Sequence, residues 1–225
     1  NASFSNWIYL GDMYKTFTPF AIQGTYESAQ TAYSQARILA PKNPLSLLRL
    51  AELALLKEDI AEARKLLLEA INEKPNYVDA ILTLASIERN EGDEDAARQR
   101  ENQALAMSPN TPELYYTIGL SAYEAKQWDR AVSLFEQAVF LNTTYGNAQF
   151  MLAASYEKVG RRDDAHTILA SLFAQYPENE ALKEAITRLE GGGSIIVDTP
   201  VPSDVVDEDV QDPIEGGETS SDETV

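Results

Sequence analysis

Residues 106–113 read AMSPNTPE, and they set Pro109 and Pro112 between two long segments whose apolar residues recur at helical spacing. Proline lacks an amide donor and its ring pushes the preceding residue out of the helical region, so this stretch ends one helix and opens another. The stop recurs along the chain. Pro41, Pro75, Pro109 and Pro177 fall on one 34-residue grid, and Thr143 holds the grid point without proline. Two alanine columns keep the same period: Ala29, Ala63, Ala97, Ala131 and Ala165, then Ala36, Ala70, Ala104 and Ala138, with Leu172 breaking the second. Helices of an antiparallel hairpin approach to about 8 to 10 Å, and small residues permit that approach at the crossing. Bulkier residues, Tyr33, Leu67, Phe135 and Leu169, form a column beside them, interrupted by Glu101.

Each period therefore reads as a helical hairpin followed by a proline-marked loop. The expected pairs are 44–56 with 60–73, 78–91 with 94–107, 112–125 with 128–141, and 146–159 with 162–175. The first unit carries six extra residues around Pro19, which reads as a broken or extended first helix. Residues 179–190 form an amphipathic helix that caps the last unit, because a terminal repeat otherwise exposes its apolar flank.

Composition narrows the function. The 225 residues are 44% apolar and carry 36 acidic against 18 basic side chains, a net charge of -18 that repels nucleic acid and anionic lipid. There is no cysteine, so neither disulfides nor thiolate metal sites exist. No apolar run is long enough to span a membrane, so this segment is expected to make no direct membrane insertion. After Glu190 the pattern breaks into GGGS and a stretch without Lys, Arg or aromatic residues, leaving 26 acidic and 18 basic residues, a net of -8, on residues 1–190. Residues 191–225 read as a Gly-rich linker and disordered acidic tail following a repeat domain over 1–190. The start at Asn1 reads as an excised piece of something longer, and compartment stays open between cytoplasm and a tethered position at a bacterial envelope.

The period, the W-x-x-L-G-x-x-Y pattern of Trp7, Leu10, Gly11 and Tyr14, the residues Ile118, Gly119, Leu152, Ala153 and Tyr156, and the Ala and Pro columns together resemble the tetratricopeptide repeat family. Glu58 and Lys126 depart from its glycine between helices, and Glu88 and Ala122 from its first-helix tyrosine. The resemblance implies an all-α, right-handed solenoid of five helical hairpins plus the cap, whose concave face is lined by the first helix of each pair. At the corresponding positions stand Ile8, Tyr9, Leu48, Arg49, Leu82, Arg89, Asn90, Tyr116, Leu120, Tyr123, Phe150 and Met151. Aromatic and aliphatic anchors among Arg and Asn suit a peptide or partner protein, so the expected role is a non-catalytic scaffold. The paired cations with which chaperone-binding members clamp a terminal carboxylate are replaced here by Leu48, Glu52, Thr83, Glu113 and Thr117.

No catalytic constellation, cofactor or metal set stands out. His166 is the single histidine and reads as a solvated helix residue. Docking of the acidic tail onto Lys15, Arg49, Arg89 and Lys158 is a further expectation. The opening NWIYLGDMYK and the tail also resemble the repeat segments that follow multi-spanning, O-antigen-ligase-like regions of bacterial envelope proteins, where such a segment would organise glycan-assembly partners.

Overall fold

A computed structural model describes residues 3–20 and 22–196 of the chain. The acidic tail beyond 196 and Ala21 lie outside the described residues. Among those described there are eleven α-helices, one 3₁₀ turn and no strand. Contacts gather the chain into two units, Asn1–Met107 and Ser108–Val225.

The first unit holds three hairpins: α1 (Phe4–Phe17) with α2 (Thr25–Leu39), α3 (Leu45–Leu56) with α4 (Ile60–Glu73), and α5 (Val78–Asn90) with α6 (Glu94–Met107). The second holds α7 (Pro112–Glu124) with α8 (Trp128–Leu141), α9 (Gly146–Lys158) with α10 (Arg162–Gln175), and the capping helix α11 (Glu180–Glu190). The bounds lie within about a residue of those expected, the usual fraying of a helix end. Pro19 does interrupt the first helix, which passes at Thr18 into the 3₁₀ turn Thr18–Phe20. Asp59, Asp93 and Asn179 cap α4, α6 and α11 by accepting an amide from three residues on.

The turn inside each hairpin needs one residue in the left-handed region. Gly24, Gly92 and Gly160 supply it freely, whereas Glu58 and Lys126 adopt φ of 59° and 58° at the same register. The turns close alike, with Asp93, Gln127 and Arg161 amides donating to Glu88, Ala122 and Tyr156 carbonyls at 2.8–2.9 Å. The loop at Thr143 keeps the geometry of the proline loops, because the Asn142 side-chain oxygen accepts from both the amide and the hydroxyl of Thr144.

Packing inside a hairpin pairs two columns. The first helix contributes Gly11, Ala51, Ala85, Gly119 and Ala153, and the second contributes Tyr33, Leu67, Glu101, Phe135 and Leu169. Glycine occurs where the partner is aromatic. A Cβ on Gly11 would lie 2.3 Å from the Tyr33 ring, and one on Gly119 2.6 Å from the Phe135 ring. Both rings are fully buried, and burying one such side chain contributes about 1.5 to 3 kcal/mol. Gly11 precedes Tyr33 by 22 residues and Gly119 precedes Phe135 by 16, which locates the six extra residues of the first unit. In the third hairpin Glu101 takes the bulky place and is almost fully buried, with Arg89 donating to it at 2.8 Å.

Candidate functional site: the first-helix faces

The register set by the close-approach column assigns every first-helix position to an equivalent in the other hairpins. In the first unit the face of α1, α3 and α5 is an internal network of charge. Arg49 lies within 3.2 Å of Asp12 and 3.1 Å of Glu52, Lys15 also holds Glu52, and the Tyr33 hydroxyl donates to Asp12 at 2.7 Å. Desolvation works against the Arg49 charge, but Glu52 and Asp12 outweigh it and raise its pKa. Arg89 is held by Glu94 and by the buried Glu101. Asn90 and Tyr9 are exposed, Leu82 is half-buried, and Leu48 is buried among Ala51, Leu84 and Ile87.

One group on this face stays outside the network. Asp79, in the first turn of α5, is half-buried; its main-chain carbonyl accepts from the Thr83 hydroxyl at 2.8 Å, and its carboxylate forms no ion pair within the network. Burial pushes its carboxyl up to about 6, against the opposing pull of Arg49 and Lys74.

The second unit presents aromatic residues. Tyr116 is half-buried, with its ring 5.8 Å from that of Phe135 and 5.0 Å from that of Tyr145. Tyr123 stands edge-on to Trp128 at 4.9 Å, with only 8% of its surface exposed. Its hydroxyl is buried and bonds to no group among the described residues, and desolvation together with the Glu157 charge pushes its pKa up to about 12. The Asn147 side-chain oxygen, in the first turn of α9, is likewise buried without a partner. Leu120 is half-buried, whereas Phe150 and Met151 are buried with their helix and offer no open surface. Their spacing marks a face, but depth depends on what packs over it.

At the C-terminal end of α9, Lys158 donates to the Ser194 hydroxyl at 2.7 Å and that hydroxyl donates to Glu157 at 3.0 Å. Arg162 donates to the Leu189 and Gly193 carbonyls, and Ile195 is buried. Residues 191–196, where composition suggests a linker, thus pack against the last hairpin. Gly192 (φ 81°) ends α11 with the turn that Gly160 gives α9. Lys15, Arg49, Arg89 and Lys158 all have intramolecular partners, and the acidic tail expected to dock on them lies outside the described residues. His166 is exposed, with its Nε2 3.2 Å from a Glu190 oxygen.

Sequence reasoning passed over Asn147 and Asp79. Each is the second residue of its first helix, where a short polar group reads as a helix-start residue. No helix among the described residues is long and apolar enough to cross a membrane. A recess of about 230 Å³ opens between α2, α3 and α4, away from the first-helix faces, lined by Tyr26, Leu50, Leu53 and Leu66.

Stacked helical pairs with a capped end define a helical-repeat protein. Two family models described as tetratricopeptide repeat match the chain, one over residues 20–84 and 122–189 and the other over 82–145. The chain belongs to the tetratricopeptide repeat family, whose domains bind protein partners. It is 25% identical to human protein O-mannosyl-transferase TMTC1 over 74% of its length, and 25% identical to TPR repeat-containing protein YpiA of Bacillus subtilis (strain 168) over 76%. It spans only 19% and 40% of those two proteins. Among solved structures it is similar in fold to TTC0263, a thermophilic TPR protein of Thermus thermophilus, with a TM-score of 0.57, 23% identity and coverage of 84% of this chain and 99% of that one. A tetratricopeptide repeat protein from Parabacteroides merdae ATCC 43184 gives 0.57 at 21% identity, covering 82% and 72%.

Proposed function

We propose that the chain is a non-catalytic scaffold that binds a peptide segment of a protein partner on the first-helix face of its second unit. The observation that carries this reading is that the neutral Tyr123 hydroxyl and Asn147 side-chain oxygen are buried without a hydrogen-bond partner on the first helices of this unit, whereas the unbonded Arg49 Nε and Glu88 Oε2 of the first unit belong to side chains held in ion pairs. A buried polar group left unpaired costs about 1 to 3 kcal/mol, and a ligand backbone removes that cost by accepting from one and donating to the other. Tyr116 and Leu120, half-buried nearby on the same helix as Tyr123, supply apolar contact. In the first unit the same face is closed by its ion pairs, so Leu82, Asn90 and Asp79 are left as secondary contacts. The test is selection of short random peptides against the whole chain, with bound peptides then measured against Tyr116→Ala. The reading predicts selected peptides that lose about tenfold or more in affinity on that change. Failure to select any, or affinity indifferent to Tyr116, removes it.

A second reading, favoured by the match to a fifth of a named O-mannosyl-transferase, makes the array an accessory part of a longer glycan-handling membrane protein, as the likeness of its opening to O-antigen-ligase-like proteins also suggests. Hydrophobic spans encoded next to it in the gene would support this, and an open reading frame without such spans would remove it.

A further inference from the structure

Helices α1 and α11 present different outer faces. At the C-terminal end α11 buries Leu182, Ala185 and Leu189 and turns Glu180, Lys183, Glu184 and Glu190 to solvent. At the N-terminal end the exposed side chains are apolar. Tyr9, Met13, Phe17 and Phe20 follow at spacings of four, four and three, one face of α1 continued by its 3₁₀ turn, and they are 69%, 45%, 47% and 73% exposed. Tyr14 and Ile22 flank the stripe at 36% and 52%.

The register shows what this face lacks. Met13 is equivalent to Leu53, Ile87, Ser121 and Ser155, and Tyr14 to Ala54, Glu88, Ala122 and Tyr156. Ser121 is half-buried and the others are buried. Leu53 is covered by Ala29, Tyr33 and Ala36 of the hairpin before it. Among the described residues nothing covers α1 in the same way.

We propose that this face pairs with the same face of a second copy, α1 against α1 across a two-fold axis. Size supports it: at those exposures the six side chains offer roughly 700 Å², near the share of one partner in a stable interface and above the largest patch usual on a monomer. Charge supports it too. In a chain of net charge -18, residues 1–26 carry only Asp12 and Lys15, and both are engaged internally. Edge-to-edge pairing therefore brings no free like charges together. A head-to-tail stack would set the stripe against the charged face of α11, and an anionic lipid surface would find no free cation here. The isologous pair is the arrangement that closes.

Sedimentation equilibrium on the 225-residue chain between about 1 and 100 µM tests this. The expected mass is twice 24.9 kDa. Met13→Glu/Phe17→Glu should raise the dissociation constant about a hundredfold or more with unchanged helical circular dichroism. Phe20→Glu, on the exposed 3₁₀ turn, gives a second disruption should the double variant unfold. Phe140→Glu on α8, 77% exposed outside the stripe, should leave the dimer intact. A monomer throughout the range, a dimer indifferent to Phe20→Glu, or a monomer that binds phosphatidylcholine vesicles through the stripe would overturn the proposal.

Discussion

The third hairpin, Val78–Met107, and the fourth, Pro112–Leu141, use the same 34-residue frame and fill it with opposite chemistry. The bulky place is Glu101 in one and Phe135 in the other, facing Ala85 and Gly119. The residue near the end of the first helix is Arg89 in one and Tyr123 in the other. Arg89 reaches inward and closes on Glu101 and Glu94. Tyr123 has no such carboxylate, because Phe135 occupies that column, and its hydroxyl stays unpaired. Changes in three columns, Arg89 to Tyr123, Glu94 to Trp128 and Glu101 to Phe135, thus replace an ion-paired cluster with an aromatic one that leaves a neutral hydroxyl unpaired.

The largest way to break the comparison is at the close approach in the fourth hairpin. Gly119→Ala places a methyl 2.6 Å from a fully buried ring and should cost about 2 to 3 kcal/mol. Adding Phe135→Leu, the pairing that Ala51 and Leu67 already make, should restore most of it in urea unfolding. No recovery would mean that the two columns are not coupled. The ionic filling of the third hairpin comes next. Glu101→Leu alone strands part of the Arg89 charge and should cost about 2 kcal/mol, whereas Arg89→Leu/Glu101→Leu should lie within about 1 kcal/mol of the parent. Additive losses in the pair would contradict the coupling.

Two smaller effects sharpen the contrast. Asp79 has a folded pKa of about 6 against a reference of 3.8, so between those values the native state holds a proton that the unfolded chain releases. Its contribution is absent below about pH 4, lowers stability as pH rises toward 6, and stays unfavourable above. Relative to the parent, Asp79→Asn should be neutral at pH 3.5 and more stable by about 1 kcal/mol at pH 7, after discounting for solvent screening. A gain independent of pH would refute the assignment. The hairpin turns differ as well: Gly92 holds φ of 88° without strain, and Lys126 holds 58° against it. Lys126→Gly should raise stability by about 0.5 to 1 kcal/mol and Gly92→Ala lower it by a similar amount, with thermal melts as the readout.

Much of this was legible in sequence because a repeat writes each structural demand five times. The proline grid and alanine columns place helix ends within about a residue, and Glu58 and Lys126 show up as departures before their strained backbones are seen. What periodicity cannot supply is depth and partnership. Phe150 and Met151 have the spacing of a face but lie under their neighbours. Arg49 and Arg89 read as groove cations, yet carboxylates from other turns and helices neutralise them. Residues 191–196 look like linker by composition, although Gly192 repeats the turn of Gly160 and Ile195 enters the core. Tyr9 and Met13 of the stripe on α1 stand between the fixed positions of the W-x-x-L-G-x-x-Y motif, and their shared exposure with Phe17 and Phe20 becomes visible only in the fold.

The central claim is that the unpaired hydroxyl of Tyr123, and not the closed ion pair of Arg89, serves the partner. The direct measurement is calorimetric titration of a selected peptide into Tyr123→Phe and into Arg89→Leu/Glu101→Leu. The account predicts about tenfold weaker binding with unchanged or higher thermal stability for the first, and parent-like affinity for the second. Parent-like affinity in Tyr123→Phe, with the loss appearing in the Arg89 variant, would contradict it.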